Sequence, residues 1–345
     1  MKNIYITLLL VTLCAVACEQ PSRKKVKFPD VEQAMVQLLP DTSMMIGMPL
    51  AIERFKELLF ISDFQGDSLV WVYNLDKHKV VQRLAPRGEG PDNFLSPVQM
   101  IIDGEQLLLH NRWHYTFREY ALRQEGDTVH LINIGNIMHL PRNVDKICPI
   151  ASERFIATGW TDKRYQLLND KGVTVDSLGE YPSFLRGEKS APTIAKCMKH
   201  QASLFYNRQK ELLAVCSSHV LELLDCKPRV PKVINTILLS SYGYQWEGGG
   251  ESTLNFEIGA ANPEICATTR YIYIVYDPNT PKMSNESLED EKLPWEIWIF
   301  DWTGKPIKRI ITDKKIQCMY VNDDDSTAYC IVDAPNPRLA MLKIK

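Results

Sequence analysis

The 345-residue chain lacks the short linear motifs that mark common chemistries. It has no Gly-x-Ser-x-Gly elbow, no His-Glu-x-x-His helix, no Walker A phosphate loop and no Cys-x-x-Cys pair. Those absences argue against a serine-elbow hydrolase, a zincin, a P-loop nucleotidase and a dithiol redox protein. Charge of one sign is lacking too. The formal net charge is −2, so no field gathers nucleic acid, and no nucleic-acid partner is expected. A disulfide framework is also missing. Apart from Cys14 and Cys18, the cysteines are Cys148, Cys197, Cys216, Cys226, Cys266, Cys318 and Cys330, an odd set without close pairing. Most stand inside apolar runs, where a free thiol behaves as a small hydrophobe. The seven histidines show no metal-ligand spacing, and no metal or cofactor is expected. Asp323-Asp324-Asp325 lacks the spaced ligands of a calcium loop and reads as a solvated turn.

What is present begins with an N-terminal address. Met1-Lys2-Asn3 is a short basic region, and Ile4 to Leu13 is an apolar stretch well below the ~20 residues of a bilayer span. Ala15-Val16-Ala17-Cys18 then resembles the bacterial lipobox, in which the cysteine is acylated and becomes the mature N-terminus. The alternative is a plain secretory signal cleaved after Ala17. Residues 1–17 are therefore expected to be a lipoprotein signal peptide, 18–27 a lipidated tether and 28–345 one domain. The protein would sit in the cell envelope, held to a membrane, expected to be the outer one, through Cys18. Its domain would lie in the periplasm or at the cell surface.

Beyond the tether the sequence repeats. Short apolar runs end in an aromatic or leucine, often followed by Asn or Asp: Val70-Trp71-Val72-Tyr73-Asn74, Tyr165-Gln166-Leu167-Leu168-Asn169 and Ile297-Trp298-Ile299-Phe300-Asp301 are examples. The markers Tyr73, Tyr120, Leu168, Leu224, Phe300 and Leu342 recur at ~40–50 residues wherever no insertion intervenes, the period of a propeller blade. Each is preceded by a second apolar run, such as Leu58-Leu59-Phe60-Ile61, bounded by polar turns. With a third run upstream and a fourth downstream, the unit is four antiparallel strands. Cys148, Cys197, Cys266 and Cys318 fall at similar places in the expected innermost strands, where small apolar side chains suit the crowded axis. The sixth copy stops after its third run, so its fourth strand is expected from residues 26–46, which leaves no open edge. The fold class is all-β, a six-bladed β-propeller closed by an N-terminal strand.

The lipobox, the six repeats and the segment Gly88-Glu89-Gly90-Pro91-Asp92-Asn93-Phe94 between blades one and two resemble the TolB-like six-bladed propeller lipoproteins of Gram-negative bacteria. Where that family commonly reads Gly-Pro-Gly-Glu-Phe, this chain reads Gly90-Pro91-Asp92-Asn93-Phe94, so no role of the family's glutamate carries over. The resemblance implies a fold and a location rather than a reaction.

Function is expected on one rim of the ring. The turns after the second strands and the crossovers between blades share that rim and are long; the turns on the opposite rim are short. Long polar loops on a rigid frame are where binding sites concentrate. Candidate ligand-binding residues there are Arg87 and Glu89 in the first crossover, Arg112, Trp113 and His114 in blade two, Trp160 and Arg164 in blade three, and Trp246 in a later loop. Aromatic and Arg side chains are the types favoured at recognition surfaces. For Arg87 the alternative is a structural tie to a neighbouring blade. The expected function is non-enzymatic binding of an envelope protein, glycan or peptide by a monomer. The alternative is a carbohydrate- or lactone-directed hydrolase or lyase working at the axial mouth.

Overall fold

The computed structural model describes residues 26–40, 44–151, 153–184, 188–217, 219–239, 265–276, 294–334 and 336–344. These residues form six antiparallel sheets arranged as blades. In blade one the strands run Pro49–Phe55, Leu58–Asp63, Ser68–Asn74 and Lys79–Pro86 from the axis outward. The other innermost strands are Val98–Asp103, Val144–Ala151, Ala202–Asn207, Ile265–Ala267 and Ile316–Val321. Second strands such as Leu58–Asp63 are buried along their whole length. This explains why the sequence shows them as continuous apolar runs rather than alternating ones.

The Asn or Asp that follows four of the six markers has a mechanical role. Asn74 Oδ1 accepts the backbone N–H groups of Asp76 and Lys77, both at 3.0 Å. Asn169, Asp225 and Asp301 do the same for the turns that follow them. A short side-chain acceptor satisfies turn donors that no strand can reach, so the repeat carries this residue at the end of the third strand.

Packing energy lies between blades. Six buried apolar clusters fill the six interfaces between successive blades, including that between the sixth and the first. Polar clamps accompany them. Gln99 pairs its amide with both the N–H and the C=O of Ile147, at 3.0 and 2.9 Å, joining the innermost strands of blades two and three. Gln82 repeats the device at the outer strands, on Val129.

The ring closes as expected: Gln37–Leu38 pairs antiparallel with Asn336–Lys343 as the fourth strand of blade six. A second N-terminal strand was not foreseen. Asp30–Ala34 pairs in parallel with Pro306–Thr312, the outer strand of blade five, making that sheet five-stranded. Just before it, the Phe28 ring lies 5.2 Å from that of Trp298 and 5.5 Å from that of Phe300. Val26, expected in the tether, packs into the same cluster.

Two other expectations are corrected. Cys197 is not in an innermost strand; it lies in the α-helix Thr193–Lys199, part of the crossover from blade three to blade four. Polar residues interleave with the apolar ones there, and the longer crossover has room for a helical turn. Asp325 is not solvated. It is 1% exposed and accepts from Thr268 Oγ1 at 2.6 Å, Tyr273 Oη at 2.7 Å and Arg270 Nε at 2.5 Å, which locks blade six to blade five. The seven cysteines of the described residues are all buried.

Candidate functional site

The first crossover is a tightly folded turn. Phe94 donates its backbone N–H to the Pro86 carbonyl, and the Gly88 N–H returns to Phe94 O at 3.0 Å. Gly88 has a φ of 155°, a backbone conformation that L side chains rarely adopt, so the turn favours glycine there. Phe94 is 3% exposed and fills the core between blades one and two. The tie to the neighbouring blade is Arg118, which the sequence did not single out. It donates to Pro91 O at 2.6 Å, and its guanidinium stands 4.8 Å above the Phe94 ring. Arg87 does not make that tie. Arg87 and Glu89 are exposed, and neither side chain is paired among the described residues.

Arg112 forms an ion pair with the buried Asp145 of blade three at 2.7 Å and lies over the Trp113 ring at 5.5 Å. Trp113 is 53% exposed, a large ring offered to solvent beside a charged pair. His114 is half-buried and held against the Asn111 amide. Trp160 is half-buried, lines a narrow crevice with Asp145, Cys197 and His200, and donates its backbone N–H to Asn143 O. A Cβ on the preceding Gly159 would fall 1.8 Å from that same carbonyl, so only glycine lets the strands come this close.

Arg164 is corrected from surface contact to interior tie, since it is 1% exposed. It donates to Glu222 Oε2 at 2.9 Å and to His200 O at 2.7 Å, bridging blades three and four. The rings of Tyr165 and Tyr181 flank it at 5.1 and 5.9 Å. Next to it His200 and His219 stand 5.0 Å apart. Burial first, and then the charges of Arg164 and Lys199, hold both imidazoles well below their ordinary range, so they are neutral. The sequence offers no sign of this cluster, because its members are scattered across two blades. Cys18 and Trp246 lie outside the described residues.

An axial channel of about 400 Å³ is lined by the innermost strands of all six blades. At the short-turn end, Lys56, Gly104, Arg208 and Asp323 contribute to its wall. Arg208 of blade four is paired with Asp103 of blade two, across the intervening blade. Arg54 is turned toward blade six, donating to Asn322 Oδ1 and to Lys56 O. Glu53 differs from these. It is half-buried in the wall, and its carboxyl has no hydrogen bond or ion pair among the described residues. Burial pushes its pKa from an ordinary 4.5 up to about 8. Sequence reasoning missed it, because Glu53 reads as one acid in a strand start.

A search of curated proteins finds no match. A Bacteroides fragilis NCTC 9343 protein described as exported has a similar structure: TM-score 0.55, 12% identity, covering 92% of this chain and 99% of its own. A Bacteroides vulgatus ATCC 8482 member of the DUF4221 family superposes with a TM-score of 0.53 at 10% identity, covering 91% and 96%. At such identities the likeness is one of fold. The model of the TolB-like 6-blade propeller-like family matches residues 27–324, and with the six blades now described the chain belongs to that family.

Proposed function

We propose that the protein is an exported, lipid-anchored module of the cell envelope that binds a partner protein, glycan or peptide through its long-loop rim. The observation that carries this is the direction of the strand Asp30–Ala34. It runs parallel to Pro306–Thr312, with Asp30 opposite Lys308 and Ala34 opposite Thr312. Pro306 follows the turn at Thr303–Lys305, which belongs to the short-turn rim. The chain therefore reaches Asp30 from the short-turn side. The residues between Cys18 and Val26 reach at most ~30 Å when extended. An anchor at Cys18 would thus hold the short-turn rim nearer the membrane and turn the long-loop rim away from it. Trp113, exposed beside the Arg112–Asp145 pair, gives that rim an aromatic contact, and Arg87 and Glu89 add unpaired charges. The exported Bacteroides fragilis protein of similar fold agrees with export.

Two measurements test this. Cys18→Ser should move the protein from the membrane pellet to the soluble fraction, and a wild-type protein already soluble sinks the anchor. Cross-linked envelopes should yield a partner that Trp113→Ala and Glu89→Ala reduce together. Capture unaffected by both variants refutes the rim.

One observation favours the hydrolase or lyase alternative. Glu53, Asp103 and Asp323, from blades one, two and six, line one channel. A carboxyl that keeps its proton near neutrality is what a general acid requires. Turnover of a fluorogenic glycoside or lactone, abolished by Glu53→Gln, would establish that chemistry.

A further inference from the structure

The channel has a use beyond recognition at the rim. Glu53 is set among apolar and aromatic wall residues: Ile101, Pro149, Phe205 and Tyr320 line the same space. The ionisable groups that sense it are Tyr320 and Cys148, and both are neutral near pH 7 because burial raises them. Of the wall's cations, Arg208 is held by Asp103, Arg54 by Asn322, and Lys56 stands over its own Phe55 ring. Lys146 bears on His110. Asp323 acts on Tyr320 as a further negative charge. No described cation is paired with the Glu53 carboxyl.

An unpaired carboxyl in a mixed wall that also presents Ile101, Phe205 and Tyr320 is complementary to a cation carried on an apolar body. Charge opposite charge in a partly dry site favours the ionised pair, and aromatic faces attract ammonium groups. An anionic ligand would meet the Glu53 carboxyl rather than a cation at that point. We propose that the axial channel binds an organic amine, its ammonium on the Glu53 carboxylate and its apolar body against Ile101, Phe205 and Tyr320. The volume, about 400 Å³, lies at the lower end of small-molecule sites. The exchange is balanced. The amine arrives already protonated, the Glu53 carboxyl gives its proton to solvent, and the charge in the channel rises by less than the ligand carries.

The sign of the pH dependence follows. Below about 8 the carboxyl must lose its proton before it can pair, so affinity rises with pH, by up to about tenfold per unit, and levels above 8. A ligand that only accepts a hydrogen bond from the neutral acid shows the reverse.

The test is calorimetry on the folded protein with cadaverine, 2-phenylethylamine and tryptamine, against 2-phenylethanol and 3-phenylpropanoate. The amines should bind more tightly as the apolar body grows. Their binding at pH 7 should release most of one proton, read by comparing buffers of different ionisation enthalpy. Glu53→Gln should weaken the amines at least tenfold and leave 2-phenylethanol unchanged, with circular dichroism confirming its fold. Should that variant not fold, proton release by the wild type decides. Amines that do not bind at millimolar concentration, bind without proton release, or bind no better than the alcohol or the carboxylate overturn the proposal. None of these outcomes bears on capture of a partner by the long-loop rim.

Discussion

Arg164→Ala should be one of the most damaging single substitutions in the propeller. The guanidinium and the Glu222 carboxylate have side-chain exposures of 2% each and meet at 2.9 Å. Arg164 also supplies the His200 carbonyl with a donor at 2.7 Å. Removing it leaves Glu222 charged, buried and without its cation, a defect that costs ~3–5 kcal/mol. Against a total stability of ~5–15 kcal/mol, that is a large fraction. The pair need not be worth so much in itself. Arg164 Nη2 has no hydrogen-bond partner among the described residues, so part of the desolvation cost is not recovered. The double variant Arg164→Met/Glu222→Leu should therefore cost ~2 kcal/mol or more less than the two single alanine substitutions summed. Urea unfolding followed by tryptophan fluorescence, checked for coincidence with circular dichroism, measures both quantities. An unchanged midpoint for Arg164→Ala would refute the interior tie and return Arg164 to the candidates for ligand contact. Strict additivity would refute the coupling.

Asp325→Ala should cost ~3–5 kcal/mol in the same assay, because three side chains lose their acceptor, while Asp324→Ala, on the exposed side of the turn, should stay within ~1 kcal/mol. His200 and His219 are neutral in the fold but protonate near 6.5 when unfolded, so stability present above that pH should fall as pH drops below it, by ~1.4 kcal/mol per unit for each. His219→Gln should roughly halve that slope in urea midpoints taken from pH 7.5 to 5.5; an unaltered slope would place the titration elsewhere. Phe94→Ala should cost ~3–5 kcal/mol by emptying the core between blades one and two, with thermal unfolding as the readout. Phe28→Ala should open the N-terminal strand to limited proteolysis before the ring unfolds, and protection equal to wild type would show that the strand is held by its backbone pairing alone.

The blade count, the strand order and the donor of the last strand were legible because each reflects a local pattern. Apolar runs mark strands buried on both faces, and Asn74, Asn169, Asp225 and Asp301 mark the turns behind them. The candidate site was legible only in part. Trp113 is exposed as an aromatic loop residue should be, but Arg164 looks the same in sequence and is buried. Its partner Glu222 is more than fifty positions away, and no local pattern joins them. Glu53 was invisible for a related reason: burial raises its pKa, and the channel that buries it is walled by all six blades. Arg118 escaped notice because it belongs to a strand, while the turn it fixes lies in the preceding crossover. The strand at Asp30–Ala34 carried no expectation because an extra parallel partner is not part of the repeating unit.

That strand also orders the assembly of the molecule in time. Asp30–Ala34 pairs only with residues 308–312, and Gln37–Leu38 only with residues 340–341. The parts of the ring synthesised first are thus fixed by parts that emerge near the end. Until they do, residues 30–34 and 37–38 lack the strands they pair with in the finished ring. A chain cut short before residue 306 would have no strand on which residues 30–34 could pair.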